Sequence, residues 1–203
     1  MGSLVEDAIG KAIASFLNAD VALAQKVIKG DERINTLEIE IDNAITDVLA
    51  LQQPVAIDLR LILAAQKINN DLERIGDHAV NIAESVLAIN KTSTQEPHLK
   101  IPVMAEIARQ MLKNALDGFI HNDAKSGKKV LEQDDEIDEL NRTMTKEVIE
   151  LMRNNQQFIE GGLELIRVSK NLERVADLAT NIAEEVIFLT QARVVKHGVG
   201  GIV

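Results

Sequence analysis

Glu73, Asp77, Asn81 and Glu84 place four oxygen-bearing side chains within twelve positions of one stretch. On a helix turning about 100° per residue they fall near 0°, 40°, 80° and 20°, a narrow stripe up to about three turns long. Leu72, Ile75, Ala79, Ile82, Val86 and Leu87 fill the neighbouring arc, so the stripe borders a buried face. The same wheel holds for Glu173, Asp177, Asn181 and Glu184. Carboxylates crowded in one patch repel unless they are protonated or bridged by cations, and hard cations such as Mg²⁺, Mn²⁺, Ca²⁺ or iron accept all-oxygen shells. A single Glu-x-x-x-Asp says little, because helical ion pairs with Arg74, Lys67 or Lys170 account for an exposed acidic stripe equally well. Duplication is what changes the balance.

The chain repeats itself. DLERIGDHAVNIAE at 71–84 returns as NLERVADLATNIAE at 171–184, and Leu72, Glu73, Arg74, Asp77, Ala79, Asn81, Ile82, Ala83 and Glu84 all recur one hundred positions on. Upstream, FLNADVALAQKVIKGDERI at 16–34 matches FIHNDAKSGKKVLEQDDEI at 119–137, with Phe16, Asp20, Lys26, Val27, Asp31 and Ile34 returning at an offset of 103. Two segments repeating at nearly one offset indicate a duplicated domain. Each half of the 203 residues is a marginal core by itself, so the halves are expected to share an interface.

Positioning these stripes requires long helices. There is no Trp or Tyr and only three prolines, and a core of Leu, Ile, Val and Ala suits closely packed helices. The reading is all-α: two tandem three-helix bundles related by the internal repeat. Hydrophobic spacing predicts helices over 4–29, 32–52, 55–90, 103–128, 135–153 and 161–193. Gly30 is expected to close the first helix and Asp31 to cap the second. Residues 1–92 form the first repeat and 103–195 the second, with a linker at 93–102 and a loose tail at 196–203. A fold-back at Pro54 brings Asp31 level with Gly76 and Asn35 level with Leu72, both beside Glu73 and Asp77. The corresponding fold-back near Gln157 puts Asp138 level with Ala176 and Asn141 level with Glu173, with Asp134 a turn away.

Other chemistries lack support. A formal charge of −10 argues against a nucleic-acid binder. There is no cysteine, hence no disulfide, thiolate zinc site or Cys nucleophile. Apolar runs such as LILAA at 61–65 fall far short of the roughly 20 residues that span a bilayer. The N-terminus matches neither a signal peptide nor, with Glu6 where Ser or Thr belongs, a myristoylation site. The expected location is therefore cytoplasmic, and Asn90 and Asn141 are idle as glycosylation acceptors. His78, His98, His121 and His197 do not recur between the halves and read as surface residues. Walker loops, zincin motifs and the Glu-x-x-His of di-iron bundles are absent.

DERINTLEIEID at 31–42, QPVAIDLRL at 53–61 and the paired LER[IV][GA]D motifs resemble the PhoU family of phosphate-transport accessory proteins over nearly the whole chain. The resemblance implies metal clusters on the Glu-x-x-x-Asp motifs, with Glu73 and Asp77 in one and Glu173 and Asp177 in the other. Asp31, Asn35, Asp134 and Asp138 are supporting candidates from the fold-back, and Asn81 and Asn181 from the helical wheel. Iron stands first among the metals implied, with zinc, manganese, magnesium, nickel and calcium as alternatives. The resemblance further implies a homodimer that restrains phosphate uptake and the phosphate-starvation response. Its partners would be the ATPase subunit of a phosphate ABC transporter and a phosphate-sensing histidine kinase, reached at the inner face of the plasma membrane. Two rival readings stand beside this adaptor: a metal-dependent phosphohydrolase with an all-oxygen multinuclear site, and a metal-free scaffold whose acidic stripes dock a basic partner.

Overall fold

One Asp in each half sets where that half begins its second helix. The computed structural model describes residues 1–92 and 100–191. Helices α1 (Gly2–Leu17), α2 (Val21–Gln52) and α3 (Ala56–Thr92) form the first half, and α4 (Ile101–His121), α5 (Ala124–Asn154) and α6 (Ile159–Gln191) the second, with a short 3₁₀ turn at Gln156–Phe158. Asp20 caps α2 by accepting from the Leu23 amide at 2.9 Å. Asp123, its repeat partner, caps α5 by accepting from the Lys125 amide at 2.9 Å. The residue before each cap, Ala19 or Asn122, adopts a left-handed conformation at φ 50° or 51°.

The first two helix boundaries therefore differ from expectation. Gly30 does not end a helix, and Asp31 lies inside α2 rather than at its start. One interior glycine costs about 1 kcal/mol relative to alanine, less than the burial of Ala24, Val27 and Ile34 along one unbroken face. The second half departs in the same way: the gap expected at 129–134 is continuous α5. Gly127 serves close packing there, since a Cβ would stand 3.1 Å from the Ala183 carbonyl oxygen on α6. Ile101 and Pro102, placed in the linker, already belong to α4, with the proline in the first turn where its missing N–H costs nothing. Residues 93–99 and the tail at 196–203 lie outside the described residues.

This turn gives a direct test. Ala19→Gly should raise stability by about 0.5–1 kcal/mol by relieving the left-handed alanine. Asp20→Ala should lower it by about 1 kcal/mol through the lost cap. Urea denaturation of both variants reads the two signs.

α3 and α6 pack against each other most extensively, and α1 and α4 lie on the same core. Ile75, Ile82, Val175 and Ile182 are fully buried in one hydrophobic cluster that runs through both halves. No described helix is long and apolar enough to cross a membrane. The fold thus holds two long helix pairs, α2 with α3 and α5 with α6, each carrying its acidic stripe beside a shared core.

Candidate metal centres

Asp31 and Asn35 sit one turn apart on α2, where Asn35 Nδ2 donates to Asp31 Oδ2 at 2.9 Å. Across from them Gly76 lets the helices approach: a Cβ there would lie 3.4 Å from Asp31 Oδ1 and 3.2 Å from Ile34 Cδ1. The fold-back expected at Pro54 is therefore realised at this level. Burial lifts Glu73 above the ordinary carboxylate range, and the charges of Asp77, Glu38 and Asp31 push it further. Asp31 is raised as well, by burial first, with the Asn35 hydrogen bond opposing and Asp77 adding to the rise.

The second centre is tighter. Oxygens of Asp138, Glu173 and Asp177 all lie within 4.8 Å of one another. Glu173 is only 8% exposed, and its Oε1 accepts from Lys170 Nζ at 2.6 Å. Arg174 Nη1 donates to Asp177 Oδ2 at 2.8 Å. Asp134 joins from α5, its Oδ1 accepting from Thr180 Oγ1 at 3.2 Å. Asp177 is raised by burial and then by the Glu173 charge, and Asp134 by burial, with Asp138, Asp135 and Glu173 adding.

The two centres match position by position. The offset of 103 equates Asp31 with Asp134, Asn35 with Asp138 and Glu38 with Asn141, while the offset of 100 equates the Glu73–Asp77 pair with Glu173–Asp177. By position each half thus carries four carboxylates and one amide, with acid and amide exchanged between two positions, although Asn141 itself is engaged by Ser169. Glu38 was missed in the sequence, although its alignment with Asn141 at the repeat offset was a usable signal. Asn141 Oδ1 accepts from Ser169 Oγ at 2.6 Å, about one turn from the level expected for it.

Asn81 and Asn181 are drawn elsewhere. Asn81 Oδ1 accepts from Arg167 Nη2 at 3.0 Å, and Arg167 also reaches Glu84 at 2.6 Å across the seam between α3 and α6. Asn181 hydrogen-bonds Asp71 on the same seam, where Lys67 meets Glu185 at 2.7 Å. Burial pushes Asp71 up to about 6, opposed chiefly by Arg74. His78, expected on the surface, is half-buried there with Nδ1 2.8 Å from Asn171 Oδ1, and burial lowers its pKa. His121 is exposed, and His98 and His197 lie outside the described residues.

Buried acceptors without donors supply the test of fit. Asp31 Oδ1, Asn35 Oδ1 and Glu173 Oε2 are buried and have no hydrogen-bond partner. Leaving such atoms unmatched costs roughly 1–3 kcal/mol each. A hard cation satisfies several oxygens at once and removes the mutual repulsion, so the residues present fit an oxygen-liganded metal. The ligands would be Asp31, Asn35, Glu73 and Asp77 with Glu38 at one site, and Asp134, Asp138, Glu173 and Asp177 at the other.

The fold and its sites define a class: a duplicated, all-helical protein with an acidic oxygen cluster between the last two helices of each half. The family model of the PhoU domain matches residues 1–86 and again 101–186, and the chain belongs to the PhoU family. It is 39% identical over 97% of its length to a phosphate-specific transport system accessory protein PhoU homolog of Aquifex aeolicus, of which 89% is covered. A homolog of the same description in Pseudomonas putida is 36% identical over 97% of this chain and 77% of that relative. Among solved structures, PhoU from Pseudomonas aeruginosa superposes with a TM-score of 0.93 at 34% identity, covering 95% of this chain and 93% of that one. The phosphate transport system regulatory protein PhoU from Streptococcus pneumoniae gives 0.88 at 30% identity, with 96% and 92% covered.

Proposed function

We propose that this chain is a metal-binding regulatory adaptor of phosphate homeostasis, a negative regulator of phosphate uptake and of the phosphate-starvation response. The observation that carries the metal half of this reading is the pair of equivalent oxygen clusters, each with at least one buried acceptor that has no hydrogen-bond partner. The phosphate half is supported by relatives named as accessory proteins of phosphate transport, at 33–39% identity over nearly the whole chain. Signalling by contact would run through the long faces of the helices, toward the ATPase subunit of a phosphate ABC transporter and a phosphate-sensing histidine kinase. The protein would work in the cytoplasm as a homodimer, held at the inner membrane face by these partners. Metal bound at both centres would tie α2 to α3 and α5 to α6, setting the shape of the faces offered to partners.

The test is genetic. Deleting the gene in its host should switch on phosphate-starvation genes at ample phosphate, read as reporter expression, and the intact gene should restore silence. Normal silence in the deletion strain would defeat the regulatory reading. Variants of Asp77 and Asp177 that still fold then divide the mechanism: failed repression assigns the clusters to docking, and normal repression confines them to holding helices together.

A further inference from the structure

Arg74 and Arg174 are the same residue of the repeated motif, yet they line a single cavity of about 630 Å³. Arg74 reaches it from α3 of the first half, while Arg174, Asp177, Thr180 and Asn181 come from α6 and Asp134 from α5. The cavity lies at the edge of the second oxygen cluster and takes in two of its carboxylates. Both arginine side chains are more than half exposed, at 59% and 51%. Arg74 holds Asp71 only loosely, at 3.6 Å, whereas Arg174 contacts Asp177 at 2.8 Å. Two guanidiniums from opposite halves thus face one polar space, and the geometry of their paired N–H donors matches tetrahedral oxyanions.

We propose that this cavity binds a small, doubly charged oxyanion of the phosphate class, gripped between Arg74 and Arg174. The proposal rests on the reading of the second cluster as a cation site. Asp134, Asp135, Asp177 and Glu184 outnumber the two arginines around the cavity, so the bare pocket repels anions. A cation held by Asp138, Glu173 and Asp177 takes up that negative charge and frees Arg174 from Asp177 to face the cavity. The anion then meets one arginine from each half. Its binding ties α3 to α5 and α6, and the seam between the halves becomes responsive to the anion. The space is larger than a bare phosphate, so a hydrated inorganic ion and a small phosphate ester both fit, with the dianionic group as the shared feature.

Calorimetric titration of the full-length protein, with metal content measured beforehand by elemental analysis, tests this. Inorganic phosphate is the first titrant and glycerol phosphate the second. Saturable binding of either to the manganese-loaded protein is expected, with at least about tenfold weaker binding after chelation. Arg74→Gln, whose ion pair is with Asp71 and with no ligand of the second cluster, should keep that cluster's metal and weaken the anion at least about tenfold, the loss expected for a charge-assisted contact. Arg109→Gln, the same charge change at an exposed arginine of α4, should leave binding unaltered. A metal-loaded protein that takes up neither titrant overturns the anion site while leaving the cation reading intact. Binding equally weakened by Arg109→Gln, or untouched by Arg74→Gln, overturns it too. Protein that loads no metal sinks both readings together.

Discussion

Asp77→Ala combined with Asp177→Ala is expected to weaken metal binding at both centres at least about 100-fold, while helix content stays at the wild-type level. Asp77 is exposed and Asp177 half-buried, so neither fills the core and their loss leaves no cavity. Wild-type protein saturated with metal at about 100 times its dissociation constant gains about 2.7 kcal/mol per site, and two sites together raise Tm by roughly 10–20 °C. The double variant should show no such difference between loaded and chelated samples. Its chelated form should melt no lower than chelated wild type, because each substitution removes a repelling charge from a crowded cluster.

The pH dependence has a definite sign. Asp31, Glu73, Asp134 and Asp177 all have folded-state pKa values raised above the unfolded range. Their protonation favours the folded state, so this stability is full below the unfolded carboxylate pKa near 4 and is lost as pH rises through the raised values. Asp71, at about 6, extends the window upward. Chelated wild type should therefore become more stable as pH falls from 7 toward 5. The metal-loaded protein should go the other way, because protons compete with the cation for the same oxygens. Parallel pH slopes with and without metal, or a Tm indifferent to chelators, would remove metal from these clusters.

The parts of the site that were legible in the sequence are those governed by helical periodicity and by chain reversal at a marked turn. Glu73 and Asp77 share a face because their spacing is one turn, and Pro54 marks the point about which Asp31 meets Gly76. Gly30 and Asp31 misled because a glycine followed by an aspartate looks locally like a stop and a start. The true signal was non-local: Asp20 recurs as Asp123, and both are caps. Glu38 escaped because it is one turn beyond Asn35, at a position whose partner in the other half is an amide. Asn81 and Asn181 sit at the edge of the stripe on the wheel, and that edge faces the opposite half. No one-helix projection holds Asn81 together with Arg167 or Asn181 together with Asp71, so the seam that claims those amides becomes visible only when two helices are packed.

Severing the chain within 93–99 should give two fragments that fold together and not apart. The hydrophobic cluster is continuous from Val5 and Ile9 through Ile75 and Ile82 to Leu165, Val175 and Ile182, so neither half encloses its own core. A unit of about a hundred residues that exposes one side of its core sits at the margin of stability, where one or two kcal/mol decides folding. The seam adds direction to this apolar contact. Lys67 meets Glu185 at 2.7 Å and Arg167 meets Glu84 at 2.6 Å, tying α3 to α6 at two separated points and fixing their register. Separately, each fragment should melt broadly or self-associate through its exposed α3 or α6 face. Mixed in equal amounts they should form a one-to-one complex with a single cooperative transition and a dissociation constant below about 1 μM, the range of about −8 kcal/mol. Sedimentation and circular dichroism read both results. Should each fragment melt sharply by itself and ignore the other, the halves would be independent bundles, and a cavity lined by Arg74 and Arg174 together would lose its physical basis.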